Sequence, residues 1–347
     1  MLERQLLLER VELTAAEAIE HLVGLQAQEP KDPYVALWTR LRGFQPEELE
    51  ELIEAREAVR LTLLRGTIHL VTARDCLALR PAIQAVTARI HWTASPFGRR
   101  LGDADPAEVV AAGREILEEA PRTRAQVRDL LAARWPDRDA EAMAHTVAYL
   151  LPVVQIPPRG LWSRSARATL ATVESWLGRP LDGDPAPDRA VLRYLGAFGP
   201  AGVKDVAMWS GFTRVREVVE RLRGDLRRFR DENGVELFDL PDAPLADPDT
   251  PAPVRFLPEY DNVFLSHADR SRIVDQEDRP RLGFGDGRFF KLLLVGGFLR
   301  AAWRVEDGEV VVRPARNLSK RDAASVEAEG RRLADFFGED GVRILPA

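Results

Sequence analysis

The sequence predicts an α+β protein made of three successive helix-and-hairpin units followed by a β-rich tail, and three observations carry that prediction. A pattern of helices, then a short strand pair with a tight turn, recurs three times over residues 1–250, although the residues themselves do not repeat. Beyond the Pro- and Asp-rich stretch at 241–253 the pattern changes to alternating or continuously apolar short runs. The chain has 347 residues, more than one core usually holds. Three helices followed by a hairpin outline a winged helix, so the expected organisation is three tandem winged-helix units, 1–100, 101–180 and 181–250, and an α+β region at 251–347.

The first unit opens at Thr14, an N-cap with Glu17 three positions on, a capping box for a helix running towards Leu25. Asp32-Pro33 starts the next helix, with Tyr34, Leu37, Trp38 and Leu41 along one face, and Pro46 starts a third reaching Ala55. Residues 59–65 alternate as a strand, Gly66 turns, and 67–72 return. In the second unit a helix is expected over 106–119. Thr123 caps another to Ala133, and Asp137 or Asp139 caps a third to Leu150, where Pro152 stops it. Its hairpin is read as 153–156, a turn at 157–160 and a return at 161–163. The third unit follows the linker 177–188: helices at 188–198 and 203–210, then a basic helix capped by Thr213 and ending at Leu222. Its hairpin, 226–229 and 235–240, turns at Asn233-Gly234, a strong hairpin signal. In the tail, strands are expected at 254–257, 262–265, 289–295, 297–305, 309–314 and 342–345, with a helix over 320–337.

Composition excludes several classes. The single cysteine, Cys76, cannot form an intramolecular disulfide, and no Cys/His cluster has zinc-ligand spacing, so neither disulfides nor a structural metal organises the fold; no metal and no cofactor are expected. No apolar run approaches the roughly 20 residues of a membrane span. The N-terminal MLERQLLLERVE alternates charge with leucine and lacks the basic-then-apolar order of a leader, so a soluble, cytoplasmic chain with no membrane partner is expected.

The net charge of −6 speaks mildly against nucleic acid, but binding depends on where the cations lie. Of 49 basic residues only Lys31, Lys204, Lys291 and Lys320 are lysines, leaving 45 arginines. That bias suits phosphate recognition by guanidinium forks and is equally what a GC-rich genome writes into any protein. Residues 211–230 hold seven arginines (214, 216, 221, 223, 227, 228 and 230), while 231–249 is strongly acidic. Winged helices bind DNA by placing a helix in the major groove. The stripe containing Arg214 could contact phosphates or be a solvated face balanced by Glu217 and Glu220; Trp162, Arg164 and Arg167 could reach a groove, with Trp162 equally readable as an apolar anchor.

Other signals are weak. Gly283-Phe284-Gly285-Asp286-Gly287 lacks the strand–loop–helix setting of a dinucleotide loop and reads as a turn, and no nucleophile elbow, phosphate-binding loop or helical H-E-x-x-H is present. The sharpest feature is Gln26-Ala27-Gln28, where Pro30 and Pro33 force the chain out of helical geometry and two amides are fixed at a corner. On composition alone it is a polar helix end. Thr67 and His69 fall on one face of the first returning strand, beside Arg65 at the turn; a histidine there is ordinarily structural.

GLQAQEPKDPYVALWTRLRGF, LLRGTIHLVTARD, FGPAGVKDVAMWSGF, LPEYDNVFLSHADRSRIV and GGFLRAAWR, in that order over nearly the whole chain, resemble the tandem winged-helix DNA glycosylases of the AlkZ and YcaQ type. The resemblance implies a C-shaped arrangement of three winged helices around damaged double-stranded DNA, excision of N7-alkylguanine adducts and, in some members, unhooking of interstrand crosslinks. The family's catalytic motif is Gln, an apolar residue, then Gln or Asp; Gln26-Ala27-Gln28 matches its Gln/Gln form, which makes Gln26 and Gln28 the catalytic candidates. Gln28 would orient water, Gln26 would hold water or the sugar-phosphate, and His69, Arg65, Thr67, Trp162, Arg164 and Arg214 are the DNA-binding candidates. Two other classes stay open: a transcription regulator that reads a drug or a DNA site without chemistry, and a fold that only bridges proteins.

Overall fold

The computed structural model describes residues 1–283 and 291–347. Helix α1 (Ala15–His21) carries the expected capping box, Thr14 Oγ1 accepting from the Glu17 amide while Glu17 accepts from the Thr14 amide. It ends four residues before Leu25. Val23 (φ 57°) and Gly24 (φ +91°) reverse the chain into a strand, β1 (Leu25–Gln26). A Cβ at Gly24 would lie 2.6 Å from Val71 Cγ1, so this close turn needs glycine. Helices α2 (Asp32–Trp38) and α3 (Pro46–Glu54) follow, each with proline in its first turn. The first hairpin is β2 (Ala58–Thr62) and β3 (Ile68–Thr72), joined by a 3-10 turn at Leu64–Gly66.

Strand β3 runs straight into α4 (Ala73–Thr93), which the sequence pattern does not reveal. Its buried residues, among them Asp75, Cys76, Leu79, Arg80, Ile83, Thr87 and His91, surround the helix and blur any single apolar stripe. Pro81 sits inside it. The Leu77 carbonyl, which proline cannot serve, accepts instead from the Asp182 amide at 3.1 Å.

After the short α5 (Pro96–Arg100), the second unit has α6 (Pro106–Glu119), β4 (Arg122–Thr123), α7 (Arg124–Arg134) and α8 (Ala140–Leu150), with Thr123 and Asp139 as caps. Strand β5 (Val153–Ile156) pairs not with 161–163, as expected, but with β6 (Thr169–Thr172). Leu161 and Trp162 are instead drawn into the first core, where Trp162 packs against Tyr34, Phe336 and Phe337. Helix α9 (Val173–Leu177) leads to the third unit: α10 (Asp188–Phe198), α11 (Val203–Ser210), α12 (Val215–Leu222), and the hairpin β7 (Arg227–Arg230) and β8 (Glu236–Asp239). Thr213 does not cap α12; Arg214, left-handed at φ 56°, precedes it without a side-chain cap.

In the tail, β9 (Arg255–Phe256) precedes α13 (Asn262–Leu265), a helical turn where a strand was expected. Asp261 caps it by accepting from the Val263 amide and is itself clamped by Arg40, which overrides the apolar run. Strands β10 (Lys291–Val295), β11 (Phe298–Glu306) and β12 (Glu309–Pro314), helix α14 (Lys320–Phe337) and strand β13 (Gly341–Ile344) complete the chain. Residues 284–287 of the glycine-rich segment and 289–290 of the expected strand lie outside the described residues.

Among the described residues the strands form three sheets. The first two hairpins join edge to edge: β2 pairs antiparallel with β5, placing Arg60 opposite Gln155, in a sheet ordered β1-β3-β2-β5-β6-β4. The tail sheet runs β13-β12-β11-β10-β9, with α14 crossing between the parallel β12 and β13. The hairpin β7–β8 stands as a two-stranded sheet. One apolar core joins α1–α3 to the tail sheet and α14, another joins the first hairpin and α4 to α10–α12. Buried ion pairs, Arg4 with Asp239 at 2.7 Å and Arg40 with Asp261 at 2.9 Å, tie the N-terminal segments to the third hairpin and the tail.

Candidate active site

Strand β1 adds to the free edge of β3, with Gln26 opposite His69, and His69 in turn stands opposite Leu61 of β2. Residues directly opposite in an antiparallel ladder share a face. Gln26 and His69 are therefore side by side, although 43 positions separate them in the chain. The residues on either side of β1 are held from three directions: the Ala27 amide donates to the Ile68 carbonyl (2.8 Å), Arg60 Nη2 donates to the Ala27 carbonyl (2.8 Å), and Asn262 Nδ2 donates to the Gly24 carbonyl (2.9 Å).

The two glutamines have different surroundings. Gln26 is buried, and its Oε1 accepts from Arg65 Nη2 at 2.7 Å. Arg65, half-buried and left-handed at φ 55°, also donates to the Trp209 carbonyl (2.6 Å), so the turn of the first hairpin is pinned to α11 while it orients Gln26. Gln28 is exposed. Its Oε1 accepts from the Ile68 amide at a long 3.4 Å, leaving the carbonyl a lone pair free for another donor.

His69 is fully buried. Its Nδ1 lies 3.0 Å from the Thr67 carbonyl and must donate there, which leaves Nε2 as an acceptor 3.5 Å from Arg65. Burial, reinforced by the Arg65 charge, pushes its pKa down to about 3, so the ring is neutral at physiological pH. Thr67 lies in the turn, its hydroxyl donating to the Leu64 carbonyl. Trp162 is the apolar anchor of the two readings, with Lys31 Nζ 4.7 Å above its ring. Arg164 is exposed and paired with Glu54 (2.7 Å), and Arg214 is exposed with Glu217 at 4.0 Å. The structure thus brings Gln26, Gln28, Arg65, Thr67 and His69 together, with Trp162 and Arg164 on a neighbouring segment and Arg214 in the third unit.

Sequence reasoning missed the groups behind the motif. Arg60 is 2% exposed, and among the described residues no carboxylate is a hydrogen-bond partner of it and its Nε and Nη1 are unpartnered. Burial, with Arg159 nearby, lowers its pKa to about 10. Gly160 (φ +99°) makes room for it, since a Cβ there would fall 2.6 Å from Arg60 Cδ. The signal in the sequence was a lone arginine in the apolar run AVRLT. Asp32, buried at the start of α2, bonds Lys291 Nζ at 2.8 Å; desolvation outweighs that lysine and raises its carboxyl to about 6. Its neighbour Pro33 had marked Asp32 only as a helix start.

Such a site can position water and a phosphodiester by hydrogen bonds. The two amides have no useful basicity near neutral pH, and the one histidine among them is neutral and enclosed.

Comparison with known proteins places the chain in a family. The DNA glycosylase AlkZ-like family matches residues 19–336. An interstrand DNA cross-link repair glycosylase from Streptomyces sahachiroi is 23% identical, aligned over 97% of this chain and 94% of the relative. The solved structure of Streptomyces sahachiroi DNA glycosylase AlkZ superposes with a TM-score of 0.82 at 21% identity, covering 99% of this chain and 97% of that one, and shows the shared winged-helix fold. None of these supports the regulator reading. This chain belongs to the AlkZ-like family of DNA glycosylases, hydrolases of N-glycosyl bonds.

Proposed function

We propose that this enzyme hydrolyses the N-glycosidic bond of cationic N7-alkylguanine in double-stranded DNA and acts as a monofunctional glycosylase. One observation carries the reading: the Gln26 amide is locked through its oxygen by Arg65, while Gln28, two residues on, keeps an exposed amide with a nearly free carbonyl. Gln28 accepts from a water proton and aims the water's lone pair at C1′, and Gln26 Nε2 holds the water or a sugar-phosphate oxygen. The C1′–N9 bond breaks with its electron pair going to the base, which was cationic and leaves neutral. The water oxygen bonds to C1′ and its proton passes to solvent. A lesion that carries its own positive charge needs no protonation to depart, which suits a site of amides; uracil and 8-oxoguanine lack that activation.

Crosslink unhooking, named for the Streptomyces relative, is the same bond cleavage on a guanine tethered to the opposite strand and is part of the proposal. Arg164 and Arg214 would bind phosphates, the enzyme would act as a monomer at the nucleoid, and the unit boundaries near residues 100, 180 and 250 would mark its three winged helices and tail. The test is incubation of purified protein with a duplex containing N7-methylguanine. Free base and an intact abasic site are expected, with uracil untouched and no borohydride-trapped adduct. Uracil released as fast as N7-methylguanine, or a trapped adduct that Lys31→Ala abolishes, would overturn it.

A further inference from the structure

Gln28 stands on the rim of a cavity of about 480 Å3 that two units build together. Strands β2 and β3 form one side, and α8 with β5 and β6 the other, held in place by the β2–β5 pairing. Cavities of this size hold drug-sized ligands.

Three features of its walls are informative. The first is polar: Gln155 of β5 is one of the lining residues, and its Oε1 is buried with no hydrogen-bond partner among the described residues. Native proteins seldom leave a buried acceptor unmet, and a ligand N–H is one way to meet it. The second is apolar: Leu170, directly opposite Gln155 on β6, and Ile68 also line the cavity. The third is electrostatic. Among the described residues Arg124 and Arg167 line the cavity, and no aspartate or glutamate does. Arg124 is partly neutralised by Glu141 at 3.3 Å, and Arg167 is exposed. His145 adds no charge, because burial and the nearby Arg124 lower its pKa to about 4; it lies stacked on Phe97 at 3.6 Å as part of an aromatic wall with Tyr149.

A carboxylate-free, arginine-lined cavity is a poor host for a cation and a better one for a neutral polar ring. During cleavage of an N7-alkylated nucleotide, positive charge moves from the base to the sugar. An environment that favours the uncharged base therefore binds the transition state better than the ground state. Resting on the function proposed above, we infer that this cavity receives the departing 7-alkylguanine as a neutral base, with Gln155 accepting from its N–H edge and the N7 substituent lying against Leu170 and Ile68. The cavity is then a specificity element, its apolar wall rewarding larger alkyl groups.

Free bases test this without turnover. By titration calorimetry at about pH 6, 7-methylguanine should bind at least about tenfold tighter than the fixed cation 7,9-dimethylguaninium, and 7-benzylguanine about tenfold tighter than 7-methylguanine. Gln155→Leu should weaken both neutral bases about tenfold, with melting temperature and affinity for undamaged duplex retained. Leu170→Ala, a second and independent variant, should erase the preference for benzyl over methyl. Arg167→Ala should narrow the gap between neutral base and cation. Equal binding of cation and neutral base, or well-folded Gln155 and Leu170 variants that bind like wild type, would overturn the inference. The two proposals fail separately: a wild-type protein that shows this binding pattern but releases no base from alkylated DNA contradicts the proposed function, and one that excises base while binding indifferently to Gln155 and Leu170 contradicts only the cavity's role.

Discussion

The first and third hairpins begin from the same pattern, helices followed by two short strands and a tight turn, and end in opposite situations. Strands β2 and β3 are paired on both outer edges, by β5 and β1, and β3 buries four of its five residues. Strand β7 has only β8 beside it, and three of its four residues, Arg227, Arg228 and Arg230, are exposed. In the first hairpin, polar side chains are enclosed and each fixes a neighbour, since Arg60 holds the Ala27 carbonyl, Arg65 holds Gln26, and His69 holds Thr67. In the third they lie at the surface with short-range partners, Arg228 4.0 Å from Glu236 and Arg230 donating to the Gly234 carbonyl. A hairpin fixed on every side suits a site that needs amides held within a fraction of an ångström, whereas an open basic one suits loose, sequence-independent attachment.

Truncation should expose this difference most strongly. Leu70→Ala, in the fully buried part of β3, should cost about 2–5 kcal/mol in urea or thermal unfolding, while Arg228→Ala should change stability by less than about 0.5 kcal/mol. Similar losses at both positions would mean that the first hairpin is not the rigid one. DNA attachment should divide the other way. Combined replacement of Arg214 and Arg228 by alanine should weaken binding to undamaged duplex several-fold and make the log–log salt dependence shallower by about 0.9 for each phosphate no longer neutralised. An unchanged slope would remove this region from the DNA-binding surface.

The smallest effect is on pH. The buried ring of His69 resists protonation down to about pH 3, while an unfolded histidine binds a proton near 6.5. The stabilisation is thus present above 6.5 and lost as pH falls from there towards 3, because the unfolded chain takes up the proton first. His145 and His267, both lowered to about 4 by burial, act in the same direction. Asp32 acts in the opposite one: raised to about 6, it favours the folded state below 3.8 and loses that effect as pH rises through 6. Proton uptake on unfolding, measured at pH 5, should fall by about one proton per molecule in His69→Gln, and uptake equal to wild type would show that the ring is not enclosed.

Much of this architecture is readable locally. Helices α10, α11 and α14 and strand β12 fall where caps, prolines and periodicity put them, since those signals act within a few residues. What is unreadable depends on distant partners. The return strand of the second hairpin lies at 169–172 because 161–162 packs against Tyr34 and α14, and α13 forms because Arg40, 221 positions away, clamps its cap. The glutamine motif stands out as a polar interruption between prolines. The edge position of Gln26 beside His69 and the arginine beneath Ala27 follow from strand pairing that no single segment encodes.

In the proposed mechanism two amides, one locked by Arg65 and one open, perform the hydrolysis. Its most direct test is single-turnover excision from an N7-methylguanine duplex by wild type and Gln28→Ala, with melting temperature and duplex affinity measured on both. The Gln28→Ala rate should be lower by on the order of a hundredfold with stability and affinity nearly unchanged; a folded Gln28→Ala enzyme that excises at the wild-type rate would show that the open amide does not take part.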